Sequence, residues 1–496
     1  MTDIIPPVRS AEDLFELSPW LAEVPGLVDQ TREWLATLPA ERARLEREAR
    51  FLATPSLHPQ GFGRLAGVAG MAIGQAATWA TVDLGRAVWR GAVFGDRDTK
   101  MSAAVERAQR LVREAGPVYV KLGQFISTGR GLLPDEVVDA FAWCRDEVPP
   151  VPTAVARRIV EGELGRPIEE VFKSFGEHPL ASASIAQVHV ARLPRDREVV
   201  VKIRRPGLYR QFTADVRAMA LLGAFGERRS RAVRAANARG FVELFAQLVL
   251  EEMDFRLEAL NMVEIGLASE EARMDFVRIP RPVPGLVTPR VLVMEYLPGV
   301  RYTDAAGHLS AGVDPAGLIR LGIQGVLEHT LVYGIFHGDL HAGNVFVDHD
   351  GSFSLLDFGI VRRLDAVQRA ALVRIMIGVG TFDTRGQLEA LVEFGAIPSG
   401  TDVAALAQVL DEQLGDEPLT GVTHDQMVER FGRVMRILVA EGFRLPKELV
   451  LFFKNLLYLN GLAATLAPGL DLLGEVDPIF QYFKGKYEDA LPYFGR

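Results

Sequence analysis

Cysteine is all but missing from this 496-residue chain. Cys144 stands alone, which excludes an internal disulfide and a cysteine-built zinc cluster and fits a reducing compartment. Its expected role is packing. Basic residues are outnumbered, 55 Lys and Arg against 64 Asp and Glu. The resulting net charge of −9 excludes general nucleic-acid binding, because nothing broadly basic offsets a phosphate backbone. The stretch Met1 to Ser10 has no basic region leading into an apolar core, so no signal peptide is expected. Long uncharged runs are scarce too. The one from Leu65 to Val82 is nominally long enough to span a bilayer. It is made of Ala and Gly with Gln75, Thr78 and Thr81, so its transfer free energy is weak. Gly67, Gly70 and Gly74 suit a helix packed closely on protein or lying on a membrane surface. The expected location is cytoplasmic, peripheral at the inner face of the cell membrane.

What is present reads as a globular chain of two or three domains, 48% hydrophobic and 24% charged. Residues 1 to about 60 have a polar, helical pattern. Residues 101 to 178 read as helices, with Pro149, Pro150 and Pro152 ending one and Thr153 capping the next. From Leu180 the pattern turns to strand, through Ile185, Val188 and Val190 to Val199-Val200-Val201-Lys202. Helices return over Leu208 to Ala224 and Phe241 to Leu267. A strand over Val291 to Tyr296 stops at Pro298-Gly299, and the rest is mostly helical apart from one hairpin.

That hairpin carries the chemistry. His337-Gly338-Asp339-Leu340-His341-Ala342-Gly343-Asn344 is followed by Asp357-Phe358-Gly359, between the apolar runs Val345 to Val347 and Phe353 to Leu356. An Asp, an Asn five residues on, and an Asp opening DFG are the base and metal groups of phosphoryl transfer. Magnesium takes hard oxygen ligands, which Asn344 and Asp357 supply, while Asp339 accepts or orients the proton of an attacking hydroxyl. Lys202 ends its strand where it would reach the α- and β-phosphates of ATP. The segment Glu251 to Glu258 offers it a carboxylate; Asp254 and Glu258, four apart, are expected on one helix face. Ala181-Ser182-Ala183-Ser184 lies where a phosphate-binding loop would sit yet holds no glycine, so it is expected to be stiff. Glu295 and Tyr296, at the hinge after the strand, complete the nucleotide-binding set. Past Gly359 no Ala-Pro-Glu follows, which leaves no room for a long peptide-binding activation segment. The cluster Arg228, Arg229, Arg231, Arg234 and Arg239 reads first as a solvated face, and second as a contact for anionic lipid.

Joined to Lys121-Leu122-Gly123-Gln124, these motifs resemble the UbiB/AarF (ADCK) family of atypical kinases in order and spacing, over roughly residues 100 to 470. The resemblance implies an α+β, bilobal protein-kinase-like fold with a small β-rich N-lobe, a helical C-lobe and an N-terminal helical extension. The domain plan is 1–100 N-terminal helices, 101–178 extension, 179–298 N-lobe, and 299–496 C-lobe with an aromatic tail. It implies Lys202 and Glu258 as the ATP-orienting ion pair, Asp339 as catalytic Asp, and Asn344 and Asp357 as Mg2+ ligands. Lys121 and Gln124 match the extension that covers the active site, with Glu252 and Asp254 as the acidic pair that Lys121 engages. The expected ligands are ATP and a lipid or quinone-precursor small molecule, in prenyl-lipid metabolism alongside lipid-biosynthesis enzymes and an anionic membrane surface.

The sequence departs from the family pattern at Ser182 and Ala186, where Ala and Gly are usual, and at Ala342 in place of Pro. The C-terminal membrane spans of many bacterial members are not expected here. The tail carries Phe480, Tyr482, Phe483, Tyr487, Tyr493 and Phe494 instead, expected as a docked helix. Two rival readings remain: a small-molecule kinase of the aminoglycoside or choline type, and a nucleotide-binding pseudokinase scaffold. The first leaves Lys121 and Gln124 unexplained; the second is weakened by a full set of catalytic groups.

Overall fold

The computed structural model describes residues 18–56, 114–127, 149–229, 238–301, 314–341, 343–348, 351–381, 383–414, 446–467 and 475–487, with scattered positions between. Cys144, Arg231, Arg234, Ala342, Tyr493 and Phe494 lie outside these, as does almost all of the run from Leu65 to Val82. Among the described residues no helix is long and apolar enough to cross a membrane.

The first long helix, α1 (Leu27–Leu52), is polar on its outer face and carries Arg44 paired with Glu41 at 2.8 Å and Glu48 at 3.2 Å. Such pairs at helical spacing add a few tenths of a kcal/mol each. Next come α2 (Pro117–Ser127) and α3 (Thr153–Leu164). Thr153 is not the cap expected of it. Pro152 takes the N-cap position, and the Thr153 hydroxyl donates to the Glu177 carbonyl at 2.5 Å. Strands begin earlier than Leu180: β1 (Ser174–Phe175) pairs with β3 (Ala186–Arg192), as does β2 (Ala181–Ser182), all antiparallel. Val199, Val200, Val201 and Ile203 make β4 (Glu198–Arg204) a buried neighbour of β3.

Helix α4 (Leu208–Arg229) runs as expected, but Phe241 to Leu267 is two helices, α5 (Ala238–Glu252) and α6 (Phe255–Glu271). The break falls at Met253-Asp254. Asp254 adopts an extended conformation and its carboxylate accepts from the Arg256 N–H at 3.1 Å, a capping bond that starts the new helix. Asp254 therefore does not share a helix face with Glu258. After α6 come β5 (Val277–Arg278), β6 (Pro282–Val287), β7 (Val291–Glu295) and β8 (Val300–Arg301). Helix α7 (Pro315–Leu327), capped by Asp314, widens into one π turn over Glu328–Val332 and feeds β9 (Ile335–His337).

The expected hairpin is β10 (Val345–Val347) with β11 (Phe353–Leu355), flanked by β8 and β5. The next strand, β12 (Val361–Arg363), returns antiparallel to β9. Helices α8 (Ala366–Thr381), α9 (Thr384–Phe394), α10 (Val403–Leu414), α11 (Lys447–Leu466) and α12 (Val476–Lys486) follow. The fold class is α+β, helix-rich with mostly antiparallel sheets.

The chain divides into two compact units. The first holds Met1–Pro39, Glu198–Val200 and Asp254–Arg496; the second holds Ala40–Arg197 and Val201–Met253. In the first, Phe255, Phe336, Phe358, Phe452 and Phe483 are almost wholly buried, each worth roughly 1.5–3 kcal/mol of transfer free energy. Phe483 lies on α12, so the described part of the aromatic tail, Val476–Lys486, is a docked helix. In the second, Phe212 and Phe245 meet between α4 and α5 with ring centroids 6.3 Å apart.

Candidate active site

Two strand pairs build the catalytic end of the first unit. Asp339 and Asn344 lie in the loop from β9 to β10, and Asp357 lies between β11 and β12. Because β9 pairs with β12 and β10 with β11, both loops emerge at one place. Gly338 makes the crossing possible. Its N–H donates to the Ile360 carbonyl at 2.7 Å, and a Cβ there would sit 2.6 Å from Ile360 Cγ2. Side-chain volume is excluded at that position.

His337, read in the sequence only as a motif letter, ties the loops together. Its Nδ1 accepts from the Asp339 N–H at 3.1 Å, and its Nε2 faces the Asp357 carbonyl in a short hydrogen bond. Accepting at one nitrogen and donating at the other requires the neutral Nε2–H tautomer. Burial pushes the imidazole pKa below its ordinary value, which holds that form. The ring also packs edge-on against Phe358 at 5.5 Å.

The Asp339 carboxylate meets a residue that the sequence did not flag. Lys454 Nζ, on α11, lies 2.5 Å from Asp339 Oδ1, with both side chains largely shielded. His341 Nε2 is 3.8 Å from the other oxygen. On the same helix, Asn455 is fully buried; its amide donates to the His337 carbonyl and accepts from the Leu340 N–H at 3.3 Å. One helix turn thus fixes the His337–Leu340 segment at three points. Lys454 and Asn455 follow the motif by more than a hundred residues, in an apolar helix with no signature of its own.

The two proposed magnesium ligands are oriented by neighbours. Asn344 is buried, and its amide nitrogen donates to the Asp339 carbonyl at 3.0 Å, an orientation that turns its oxygen the other way. Asp357 Oδ1 accepts from the Gly359 N–H at 3.0 Å. An amide oxygen and a carboxylate fit magnesium, a hard cation that usually takes one or two protein oxygens and completes its shell with phosphate and water. No group of three or more His, Cys, Asp or Glu that could hold a metal occurs among the described residues.

Glu258 is buried on α6, where its carboxylate accepts from the Phe358 N–H at 3.4 Å; on the same helix Asn261 donates to the Phe358 carbonyl at 2.8 Å. The DFG backbone is therefore clamped by α6. Glu295 ends β7 and accepts from the Arg281 N–H at 3.1 Å, and Tyr296 beside it is exposed.

The second unit holds Lys202 on β4 and the loop Ala181–Ser184. That loop closes on itself through a bond from the Ala183 N–H to the Ala186 carbonyl at 2.8 Å. Arg205, absent from the sequence reading, holds it from outside. Its guanidinium donates to the Ala183 carbonyl at 2.7 Å, the Ser182 hydroxyl at 2.8 Å and the Pro149 carbonyl at 2.9 Å. From the other side the Ser184 hydroxyl donates to Gln124 on α2 at 3.3 Å. Stiffness expected from alanine alone is thus reinforced by an arginine fork and a glutamine.

Lys121, three residues before Gln124, forms an ion pair with Glu252 at 2.7 Å, both side chains mostly buried. Asp254, grouped with Glu252 in the sequence reading, makes contacts of its own. Besides capping α6 it receives the Arg256 guanidinium at 2.9 and 2.6 Å. The two acidic residues have separate work because the helix breaks between them.

Comparison with known proteins returns one family. Residues 144–391 match the ABC1 atypical kinase-like domain. The chain is 32% identical over 382 residues to a probable protein kinase UbiB of Pseudomonas paraeruginosa, covering 76% of this chain and 71% of that one. A probable protein kinase UbiB of Azotobacter vinelandii is 32% identical over 390 residues, 77% and 72% of the two chains. An uncharacterised Synechocystis protein is 31% identical, at 76% and 67%. Among solved structures, the erythromycin complex of a Mycobacterium tuberculosis protein aligns with TM-score 0.41 and 22% identity, over 70% of this chain and 91% of that one.

Proposed function

The chain belongs to the UbiB/AarF family of atypical kinases, with its ABC1 kinase-like domain, and from that premise we propose that it binds Mg-ATP and transfers or hydrolyses the γ-phosphoryl group in support of prenyl-lipid (quinone) metabolism. The observation that carries this reading is the catalytic loop. Asp339, Asn344 and Asp357 sit on adjoining loops, joined by a neutral His337 and flanked by the Lys454 ammonium. When bound, magnesium would neutralise phosphate charge at Asn344 and Asp357. Asp339 would orient the attacking hydroxyl or water and hold its proton. Lys454 would keep that carboxylate in place and add positive charge where the phosphoryl group moves. Lys202 and the Ala181–Ser184 loop are assigned to the phosphates, and Glu295 and Tyr296 to the rest of the nucleotide.

The acceptor is read as small, not a peptide. Phe358-Gly359 is followed at once by β12, and α8 begins at Ala366, so the chain past DFG is a strand paired with β9. A peptide-binding activation segment needs more chain than that.

The test is ATP turnover by the purified full chain, with and without anionic liposomes and a quinone-precursor mimic. Asp339→Asn should keep nucleotide binding and lose turnover, since the amide is nearly isosteric but cannot take a proton as carboxylate does. Asp357→Asn should lose most of the Mg-ATP thermal shift, which at ~100 times the dissociation constant corresponds to about 2.7 kcal/mol. Full turnover in Asp339→Asn refutes the assignment.

A further inference from the structure

A cavity of about 70 Å³ lies inside the first unit, bounded on one side by His337 and Leu340 of the catalytic loop. The hairpin strands next to Asn344 and Asp357 contribute Val345 and Phe353 to its wall, and α11 contributes Leu459. By the measure that one water-sized body needs ~10–15 Å³ of such space, it holds roughly five to seven of them, or an alkyl segment of about six carbons.

Its walls are almost wholly apolar; among the polar groups in them, Tyr458 adds a phenol, and the two imidazoles are engaged elsewhere. His329 Nε2 is bonded to the Ser269 hydroxyl at 3.0 Å, and the His337 ring is committed to Asp339 and Asp357. The His329 imidazole is held neutral by burial. A charged ligand would find no counter-charge and would lose its hydration.

The space is kept open at a cost. Gly322 and Gly325 lie inside α7 and line the cavity. Glycine within a helix is less favourable than alanine. A Cβ would fit at either place: at Gly322 its nearest neighbours are Leu459 Cδ2 and Phe353 Cζ, both at 3.8 Å, and at Gly325 the nearest is Phe276 at 3.6 Å. Alanine would improve the helix and narrow the cavity; the chain has glycine twice.

The cavity also has a route to the chemistry. Lys454 and Asn455 hold Asp339, His337 and Leu340, while Tyr458 and Leu459, one turn further along α11, line the cavity. Residues four apart share a helix face, so material pressing on Tyr458 and Leu459 displaces the same stripe that carries Lys454 and Asn455.

We propose that this cavity is a binding site for an uncharged alkyl group of about six carbons, and that filling it moves α11 and so the Lys454–Asp339 contact. The binding half is independent of the function proposed above; the coupling half rests on it.

The experiment titrates the full chain with 1-hexanol, following binding by calorimetry and ligand-observed NMR and, separately, ATP turnover. Hexane-1,6-diol is the polar control. Gly322→Leu fills the cavity and Leu459→Ala enlarges it. Saturable hexanol binding is expected, at least tenfold tighter than diol binding. Gly322→Leu should weaken it at least tenfold, and Leu459→Ala should tighten 1-octanol binding by a similar factor. Hexanol should change turnover of the parent at least twofold. Competition by phosphatidylcholine vesicles assigns the alkyl group to a bilayer lipid; hexanol binding untouched by vesicles assigns it to a soluble molecule.

Absent or non-saturable binding, or equal binding in the parent and the variants, overturns the site. Should Gly322→Leu fail to fold, Leu459→Ala decides alone. Binding that follows the variants while turnover stays constant overturns the coupling. Binding that follows them in a protein with no turnover under any condition leaves the site standing and refutes the proposed function instead.

Discussion

Lys454 Nζ and Asp339 Oδ1 are 2.5 Å apart although 115 residues separate them in the chain. A carboxylate so placed is held in one orientation by a cation that is itself largely shielded from water. Lys454→Met should therefore lower ATP turnover by about two to three orders of magnitude, the range typical of one lost electrostatic contact at a transition state. Nucleotide affinity should change less than threefold. Single-turnover kinetics beside calorimetric Mg-ADP binding separates the two, and parental turnover in Lys454→Met removes the residue from the chemistry.

The Lys121–Glu252 pair should be measurable in stability. A bland exposed lysine would change stability by no more than about 0.5 kcal/mol on replacement. Here the side chains are 19% and 12% exposed, and a carboxylate left behind stays mostly desolvated. Lys121→Met and Glu252→Gln should each cost about 1–2 kcal/mol in urea denaturation, with the double variant costing less than their sum. Additive losses would show two independent residues.

Arg205 predicts a different readout. Its guanidinium holds the loop at Ala183 and Ser182 as well as the Pro149 carbonyl. In Arg205→Ala, amide hydrogen exchange across residues 181–186 should rise at least tenfold and Mg-ADP affinity should change several-fold. Arg205→Lys should rescue little, since a single ammonium cannot reproduce the fork. Unchanged exchange in Arg205→Ala would mean that the loop is stiff without it.

A pH dependence follows from His329. Burial lowers its pKa from 6.5 to about 4, so between those values the unfolded chain binds a proton that the folded chain refuses. Stability from this group is complete above pH 6.5 and falls with pH, by about 3 kcal/mol at pH 4. His329→Gln keeps a partner for Ser269 and cannot titrate. Its urea midpoint should vary less between pH 6.5 and pH 4.5 than that of the parent; identical slopes would exclude His329 as the source.

The parts of this fold that show in the sequence are those whose signal is local. The hairpin around Asp339, Asn344 and Asp357 announces itself by two apolar runs separated by turn residues, and β4 by its β-branched run into Lys202. The helix break at Met253-Asp254 was hidden because apolar spacing continues through it. An Asp can cap a helix or ride on its face, and only backbone conformation distinguishes the two. Lys454, Asn455 and Arg205 could not be found from spacing at all. Each acts through a partner brought close by tertiary packing, and no periodicity encodes that distance.

The matched family segment ends at residue 391, yet Glu328, buried in the π turn before β9, is paired with Lys486 of α12 at 2.7 Å and bonded to the Tyr487 hydroxyl. A gene fragment trimmed to the edges of that segment would encode every motif residue from Lys202 to Asp357 but not Lys454, Asn455, Lys486 or Tyr487. It would strand a carboxylate in a dry interior, a defect of about 3–5 kcal/mol that approaches the whole stability of many domains. The smallest piece of this protein able to keep Glu328 paired therefore reaches Tyr487, nearly a hundred residues beyond the end of the matched family segment.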